Sequence, residues 1–222
     1  MATYSIVQVN INNYDQAFSN QDKDSTENLL FTDKHWNING WKQIMIPSNK
    51  ERPFNDVFKY RWNVLDYINT DYVIWVDGSK EIKSSLKPHI NEMEKYGYEF
   101  AIKKHCDRDN IFDEYQAWIK YRQYDKQKAF NWLKHMEDNG LDIKHSGLSE
   151  ASFMIMKRCD ITKNFLKEVW SELHYFDKEN VERLDQTIAQ YILKTKFNNL
   201  KAMFIPEKYL CQIRSHWNHP LR

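Results

Sequence analysis

The chain has 222 residues, 41% of them hydrophobic, and its 32 Lys and Arg nearly cancel 31 Asp and Glu to leave a formal charge of +1. That length allows one sizeable core and is short for two full domains, and the balanced charge gives no global case for nucleic acid or an anionic membrane surface. Five Gly and five Pro exclude a linker-rich or collagen-like chain, and the three distant cysteines, Cys106, Cys159 and Cys211, form neither a disulfide framework nor a zinc motif.

From the N-terminus, residues 4–9 are rich in β-branched side chains and read as a first strand. Asn10, Asn12, Asn13 and Asp15 follow as a polar loop. Residues 29–32 and 43–46 read as two short strands, the second stopped by Pro47, Ser48 and Asn49. Val57, Tyr60, Val64, Leu65 and Ile68 recur at helical spacing, which predicts a helix over 56–68. Tyr72–Val76 is a near-continuous apolar run, as in a strand covered on both faces of a mostly parallel sheet, and it ends at Asp77, Gly78 and Ser79. Residues 99–103 read as the next strand. Residues 110–138 read as one long aromatic-rich helix, capped by Asp109 or Asn110 and followed by Gly140. A strand at 152–156, helices at 162–173 and 181–194 and a strand at Ala202–Ile205 complete the pattern. The last residues, 214–222, show no period and carry His216 and His219.

Strands and helices in alternation predict an α/β fold of one domain, with a mostly parallel central sheet flanked by helices. No apolar run is long enough to span a bilayer and no basic-then-apolar leader is present, so the expectation is a cytoplasmic protein with reduced thiols. Aromatic residues make up 15% of the chain. Most such rings build a core, and flat rings also serve sugar sites.

The sharpest local signal is Asp77. Ligands of open α/β sheets collect at the carboxyl ends of strands, where a carboxylate can hold a divalent cation or a ribose hydroxyl. Asp-Gly is also an ordinary turn pair. His105, Arg108 and Glu114 follow another strand end. Arg108 can grip a phosphate in bidentate fashion, or the three can form a structural ion-pair cluster. Lys59 and Arg61 lie on the helix leading to the Asp77 strand, as phosphate ligands or as a solvated face. Asp185 and Gln186 lie near the start of a helix, whose dipole favours an ionised carboxylate. Asp185 can take a proton there or merely stabilise the helix. Glu150, beside Gly147 and Ser149, is a second candidate base or an ordinary loop carboxylate.

Residues 71–79, DYVIWVDGS, resemble the hallmark segment of a glycosyltransferase-like family with the nucleotide-diphospho-sugar transferase (GT-A) fold. That family was first catalogued as a domain of unknown function and includes plant proteins linked to mucilage polysaccharide and an alkaline ceramidase. Four more segments look similar in the same order: residues 3–15; Phe31, Thr32 and Asp33; His105 through Arg108 to Phe112, Asp113 and Glu114; and Arg183, Leu184, Asp185 and Gln186. Two departures stand out. Leu184 separates Arg183 from Asp185, and Ser79 occupies the place where many GT-A enzymes carry the second Asp of an Asp-x-Asp motif.

The resemblance implies one domain over residues 1–222, with a donor-site half over about 1–110 and an acceptor-site half over about 111–222. It implies a hexosyl- or pentosyltransferase that moves a sugar from a nucleoside-diphosphate donor, UDP-linked in the first instance, to a hydroxyl acceptor. A glycan or polysaccharide is the first choice of acceptor, with a hydroxylated base of modified DNA the weaker one. It places Asn10, Asn12 and Tyr14 at the nucleotide, with Lys59, Arg61, Asp77, Gly78, His105 and Arg108 completing donor binding. A divalent cation, Mn2+ or Mg2+, would sit on Asp77 with Ser79 and His216, or His219, as helpers. Asp185 would be the base of an inverting transfer, with Glu150 in reserve, and Gln186 would contact the donor sugar in a retaining one. The rival classes are a non-catalytic nucleotide-sugar-binding module and a hydrolase. The chain has neither a Gly-x-Ser-x-Gly elbow nor a histidine-carboxylate zinc motif to support the latter.

Overall fold

A computed structural model of the chain describes residues 2–12, 15–49 and 51–215. Its core is a seven-stranded sheet: β1 (Tyr4–Asn10), β2 (Glu27–Thr32), β3 (Lys42–Met45), β4 (Tyr72–Val76), β6 (Phe100–Lys104), β7 (Ser149–Lys157) and β8 (Ala202–Ile205), in the order β3-β2-β1-β4-β7-β6-β8. Strands β3, β2, β1 and β4 run parallel, β8 is parallel to β6, and β7 alone runs against its neighbours β4 and β6. The expected α/β fold with a mostly parallel sheet is therefore the observed one. A separate two-stranded ribbon pairs β5 (Lys80–Ile82) with β9 (Ile213–Ser215).

Both faces of the sheet are covered, so the central strand β4 is apolar and buried at every position rather than at alternate ones. Val73 and Trp75 of β4 face one core with Phe58 and Trp62 of α1 (Pro53–Trp62), Tyr115 of α3 (Ile111–Arg122), Trp132 of α4 (Lys126–Asp138), Phe165 of α5 (Asp160–Glu172) and Ile188 of α6 (Asp185–Thr195). Tyr72, Ile74 and Val76 face a smaller core with Ile82 of β5 and Ile90 and Met93 of α2 (Lys87–Tyr96).

Four expectations change. The helix expected over 56–68 starts at Pro53, which suits a first helical turn, and ends at Trp62, with a single 3-10 turn at Val64–Asp66 after it. The helix expected over 110–138 is two. Gln123 takes a left-handed φ of 53° at the end of α3, and the Asp125 side chain caps α4 by accepting from the Lys128 N–H at 2.6 Å. Asn110 caps α3 in the same manner through the Asp113 N–H. The helix expected from 181 begins at Asp185, because the chain before it is tied to α1 by Asn55, which donates to the Glu179 carbonyl and accepts from the Val181 N–H. The fourth change is the addition of α2, β5 and β9.

The topology places a site. From β1 the chain builds outward through β2 and β3 on one side, whereas β4 lies on the other. The carboxyl ends of β1 and β4 thus flank the point where strand order reverses, the usual ligand crevice of an open sheet. Asn10 ends β1 and Asp77 follows β4 at this crevice.

Candidate active site at the carboxyl ends of the strands

The turn after β4 is fixed on every side. The Asp77 N–H donates to the Ser152 carbonyl of β7 (3.0 Å), and the Lys80 N–H closes the turn on the Asp77 carbonyl (3.0 Å). Buried Gln8 of β1 donates its amide to the carbonyls of Asp77 (3.2 Å) and Lys80 (2.9 Å). Oδ1 of Asp77 accepts from Trp75 Nε1 at 2.8 Å and from Arg61 Nη2 at 2.5 Å. The other arm of Arg61 donates to Asp185 Oδ2 at 2.6 Å, and Trp62 Nε1 reaches the same oxygen at 3.1 Å. Burial opposes the charge on Arg61, and its two carboxylate partners more than offset that. Burial raises the pKa of Asp185, with Arg61 acting against it.

The loop after β1 brings Asp15 back to this turn. Asn10 Nδ2 donates to the Asp15 carbonyl (3.0 Å), while the buried Asn10 Oδ1 meets no donor among the described residues. The Asp15 carboxylate lies against Gly78: a Cβ there would stand 3.1 Å from Asp15 Oδ2 and 3.2 Å from the Val9 carbonyl oxygen. Burial, and after it the charge of Asp77, pushes the Asp15 carboxyl up to about 6, with Lys80 pulling the other way. Two carboxylates thus share one strand tip, a common signature of functional sites. Beside them Asn12 adopts a left-handed φ of 57°, which Asn tolerates. Its N–H and the Ser48 hydroxyl both donate to Asp33 Oδ2, at 2.9 and 2.8 Å. Burial opposes ionisation of Asp33, and these hydrogen bonds prevail, holding its carboxyl below the usual range.

A second charged group lies at the tips of β6 and β7. The ladder shifts between Ile102, which faces Met154, and Lys103, which faces Glu150. Such irregularities re-aim side chains near sites. Buried Lys103 donates to Glu150 Oε2 at 2.9 Å and to Glu207 Oε1 at 3.1 Å. Ser152 donates its hydroxyl to the other oxygen of Glu150. Burial would raise the pKa of Glu150, but Lys103 and Lys80 outweigh it and the carboxyl is lowered.

The third group is built on Glu114. Arg108 Nε donates to Glu114 Oε2, while Trp118 Nε1 (2.9 Å) and Gln186 Nε2 (2.8 Å) donate to Oε1. His105 Nδ1 accepts from the N–H groups of Asp107 and Arg108, both at 3.1 Å. Those bonds require an unprotonated Nδ1, and burial, opposed by Glu114, lowers the histidine pKa. His105 and Arg108 are thus both tied to Glu114 in one ion-pair cluster. It meets the Asp77 group at the Asp185–Gln186 peptide, where adjacent residues of α6 send their side chains to different clusters.

The expected residues are thus placed unevenly. Asn10, Asn12, Asp77 and Gly78 meet at the crevice, and Ser79 lies within its turn. Arg61 reaches the site from behind Asp77 and does not line it with a free guanidinium, while Lys59, on the exposed side of α1, faces solvent. Tyr14, His216 and His219 lie outside the described residues. Asp15, Lys80 and Lys103 enter the picture from the structure. Asp15 belonged to a recognised polar loop, and nothing in the sequence marks the two lysines.

The chain matches the family described as TOD1/MUCI70, glycosyltransferase-like domain, over residues 15–216. The chain belongs to this family. The glycosyltransferase-like family expected from residues 71–79 is thereby shown, and with it a general glycosyltransferase-like role. The family match spans both charged tips and the Arg61 bridge. No curated protein matches the chain. Among the described residues no helix is long and apolar enough to cross a membrane, and Cys106, Cys159 and Cys211 are free thiols.

Proposed function

We propose that the protein transfers a sugar from a nucleoside diphosphate, UDP in the first instance, to a hydroxyl of a glycan acceptor. The observation that carries this reading is the pair of carboxylates, Asp15 and Asp77, at the strand-order reversal beside the side-chain oxygen of Asn10, which meets no donor among the described residues. Asn10 Oδ1 suits an N–H of a nucleobase, a donor that would satisfy a buried acceptor. Asn12, which follows β1, is held by Asp33, which follows β2.

The residues present suit a hard divalent cation. Such an ion takes one or two protein carboxylates and completes its shell with substrate phosphates and water, and Asp15 and Asp77 are two oxygen donors on one tip. Among the described residues no group of three or more His, Cys, Asp or Glu is placed to hold a metal ion. Bound Mn2+ or Mg2+ would neutralise charge on the departing diphosphate. Ser79 and His216 remain proposed helpers.

In the transfer, the acceptor oxygen forms the new bond to the anomeric carbon as the bond to the diphosphate oxygen breaks, and the acceptor proton passes to a carboxylate. Glu150 is our choice of base. It opens onto the site with a side-chain exposure of 22%, whereas Asp185 has 7% and sits behind Arg61 and Trp62. Asp185 then acts through Arg61 to hold Asp77. Gln186, tied to Glu114, keeps that cluster in place instead of touching the sugar. A cytoplasmic setting is part of the same proposal and accords with the three free thiols.

Thermal unfolding with nucleoside diphosphates and nucleotide sugars, with and without Mn2+, tests the donor site. A ligand at a hundred times its Kd adds about 2.7 kcal/mol, which for a domain of this size is a Tm rise on the order of 5–10 °C. The rise should vanish in Asp77→Asn, which keeps an acceptor for Arg61 and Trp75 but removes the charge. No rise with any nucleotide would overturn the reading.

A further inference from the structure

Beyond the Asp77 turn lies a cavity of about 310 Å³, lined by Lys80, Lys103, Glu207, Leu210, Ile213 and Arg214. It stands between the two ends of the proposed transfer. Lys80 closes the turn of Asp77, and Lys103 is bonded to Glu150. Its buried cations have carboxylates to meet: Lys80 faces Asp15 and Glu150, and Lys103 holds Glu150 and Glu207. Arg214 is exposed on β9, where water and salt screen its charge. The ligand to expect is thus an uncharged one that both donates and accepts hydrogen bonds, as a hydroxyl group does.

Two hydrogen-bonding positions on the wall are open to such a ligand. An ammonium carries three N–H donors, and among the described residues Lys103 meets two acceptors, Glu150 Oε2 at 2.9 Å and Glu207 Oε1 at 3.1 Å. Lys103 is only 3% exposed, so its third donor has little bulk water to turn to, and a ligand oxygen in the cavity would satisfy it. Glu207 Oε2 meets no donor among the described residues, and the side chain is 53% exposed on the 3-10 turn Glu207–Tyr209. Two neighbouring hydroxyls of a sugar ring match this pair, one accepting from Lys103 and the other donating to Glu207. Leu210 and Ile213 offer an apolar wall for the C–H face of the ring. The cavity has room for roughly ten waters, which suits a single ring.

We infer that this cavity is the acceptor subsite, holding one uncharged sugar ring of the glycan between Lys103 and Glu207 and against Leu210 and Ile213. The inference rests on the transferase reading and deepens it. Lys103 touches both the held ring and Glu150, which brings the hydroxyls of that ring within one side chain of the proposed base. Lys103 and Glu207 are then specificity residues that read the configuration of the acceptor hydroxyls.

The test is NMR of the full chain with labelled leucine and isoleucine methyls, in the presence and absence of UDP and Mn2+. The probes are free glucose, galactose, mannose, xylose and N-acetylglucosamine. Saturable shifts of the Leu210 and Ile213 methyls are expected with at least one sugar, while Ile188 of α6, which lies in the other core, stays still. Glu207→Ala should weaken that sugar by about tenfold, as for loss of a hydrogen bond to a charged group. Glu207 is on the surface and Lys103 keeps Glu150 as a partner, so this variant folds. Still methyls with every sugar overturn the inference, as does binding unchanged in Glu207→Ala. A response to glucose phosphate where no free sugar gives one also overturns it. A nucleotide-induced Tm rise without methyl shifts defeats this inference alone. Methyl shifts without any nucleotide-induced Tm rise keep the cavity as a sugar site and defeat the donor proposal alone.

Discussion

The guanidinium of Arg61 spans Asp77 and Asp185, 124 residues from the latter in sequence, and ties the carboxyl end of β4 to the first residue of α6. Arg61→Met should therefore leave two carboxylates facing each other without their cation. Breaking a buried pair in this way costs about 3–5 kcal/mol, measurable by urea denaturation. The double variant Arg61→Met with Asp185→Leu should recover part of that loss. A single variant as stable as the parent would show that the bridge is not structural.

Asp15 should give the stability curve a distinct pH dependence. Its folded pKa, about 6, lies above its value in an unfolded chain, so the folded state binds the proton more tightly. The contribution is fully present below about pH 4 and is lost as pH rises through 6. Asp15→Asn should flatten that decline and raise Tm at pH 7.5. Parallel Tm curves for the two proteins from pH 4 to 7.5 would refute the assignment.

Gly78→Ala should disturb the site without touching a charged group. The added methyl meets the Asp15 carboxylate and the Val9 carbonyl at just over 3 Å. The Val9 carbonyl belongs to β1 and cannot retreat. A loss of about 1–3 kcal/mol is expected, as for other overpacked positions, together with a smaller nucleotide-induced Tm rise. A neutral result would mean that the turn tolerates a wider Asp15–Gly78 gap.

Glu150→Gln should separate chemistry from donor binding. Loss of a general base typically costs 10²–10⁴-fold, so kcat should fall by about that factor while the Kd for the nucleotide stays within a factor of about two. If Asp185→Asn produces that split instead and Glu150→Gln does not, the base is Asp185.

The parts that could be read from sequence were those whose cause is local. The apolar run of β4 ending at Asp77 is a property of adjacent residues, and it led to the mostly parallel sheet and to the family. Helix α2 carries Pro88 in its first turn and Gly97 at a left-handed cap, yet its apolar stripe is too thin to betray it. The break between α3 and α4 turns on Gln123, a residue with no glycine or proline signal. Strands β5 and β9 are three residues each and exist through pairing with one another. The site follows the same division. Asp77 was visible because it ends a strand, whereas Asp15 gains its meaning from Gly78, and Lys103 from a ladder irregularity opposite Glu150. From sequence Arg61 reads as a phosphate ligand or a solvated cation, and its bridge to Asp185 depends on a residue 124 positions away.

Strand β7 has a consequence for how the protein is made. It comes from the second half of the sequence and slots between β4 and β6 of the first. While the chain is still emerging from a ribosome, β4 and β6 present raw edges with nothing between them, and open edges invite pairing with other chains. A donor half cut at residue 110 would keep that fault permanently. The two halves thus cannot be produced as separate pieces, and circular permutation at an exposed loop is a better engineering route than fragment exchange.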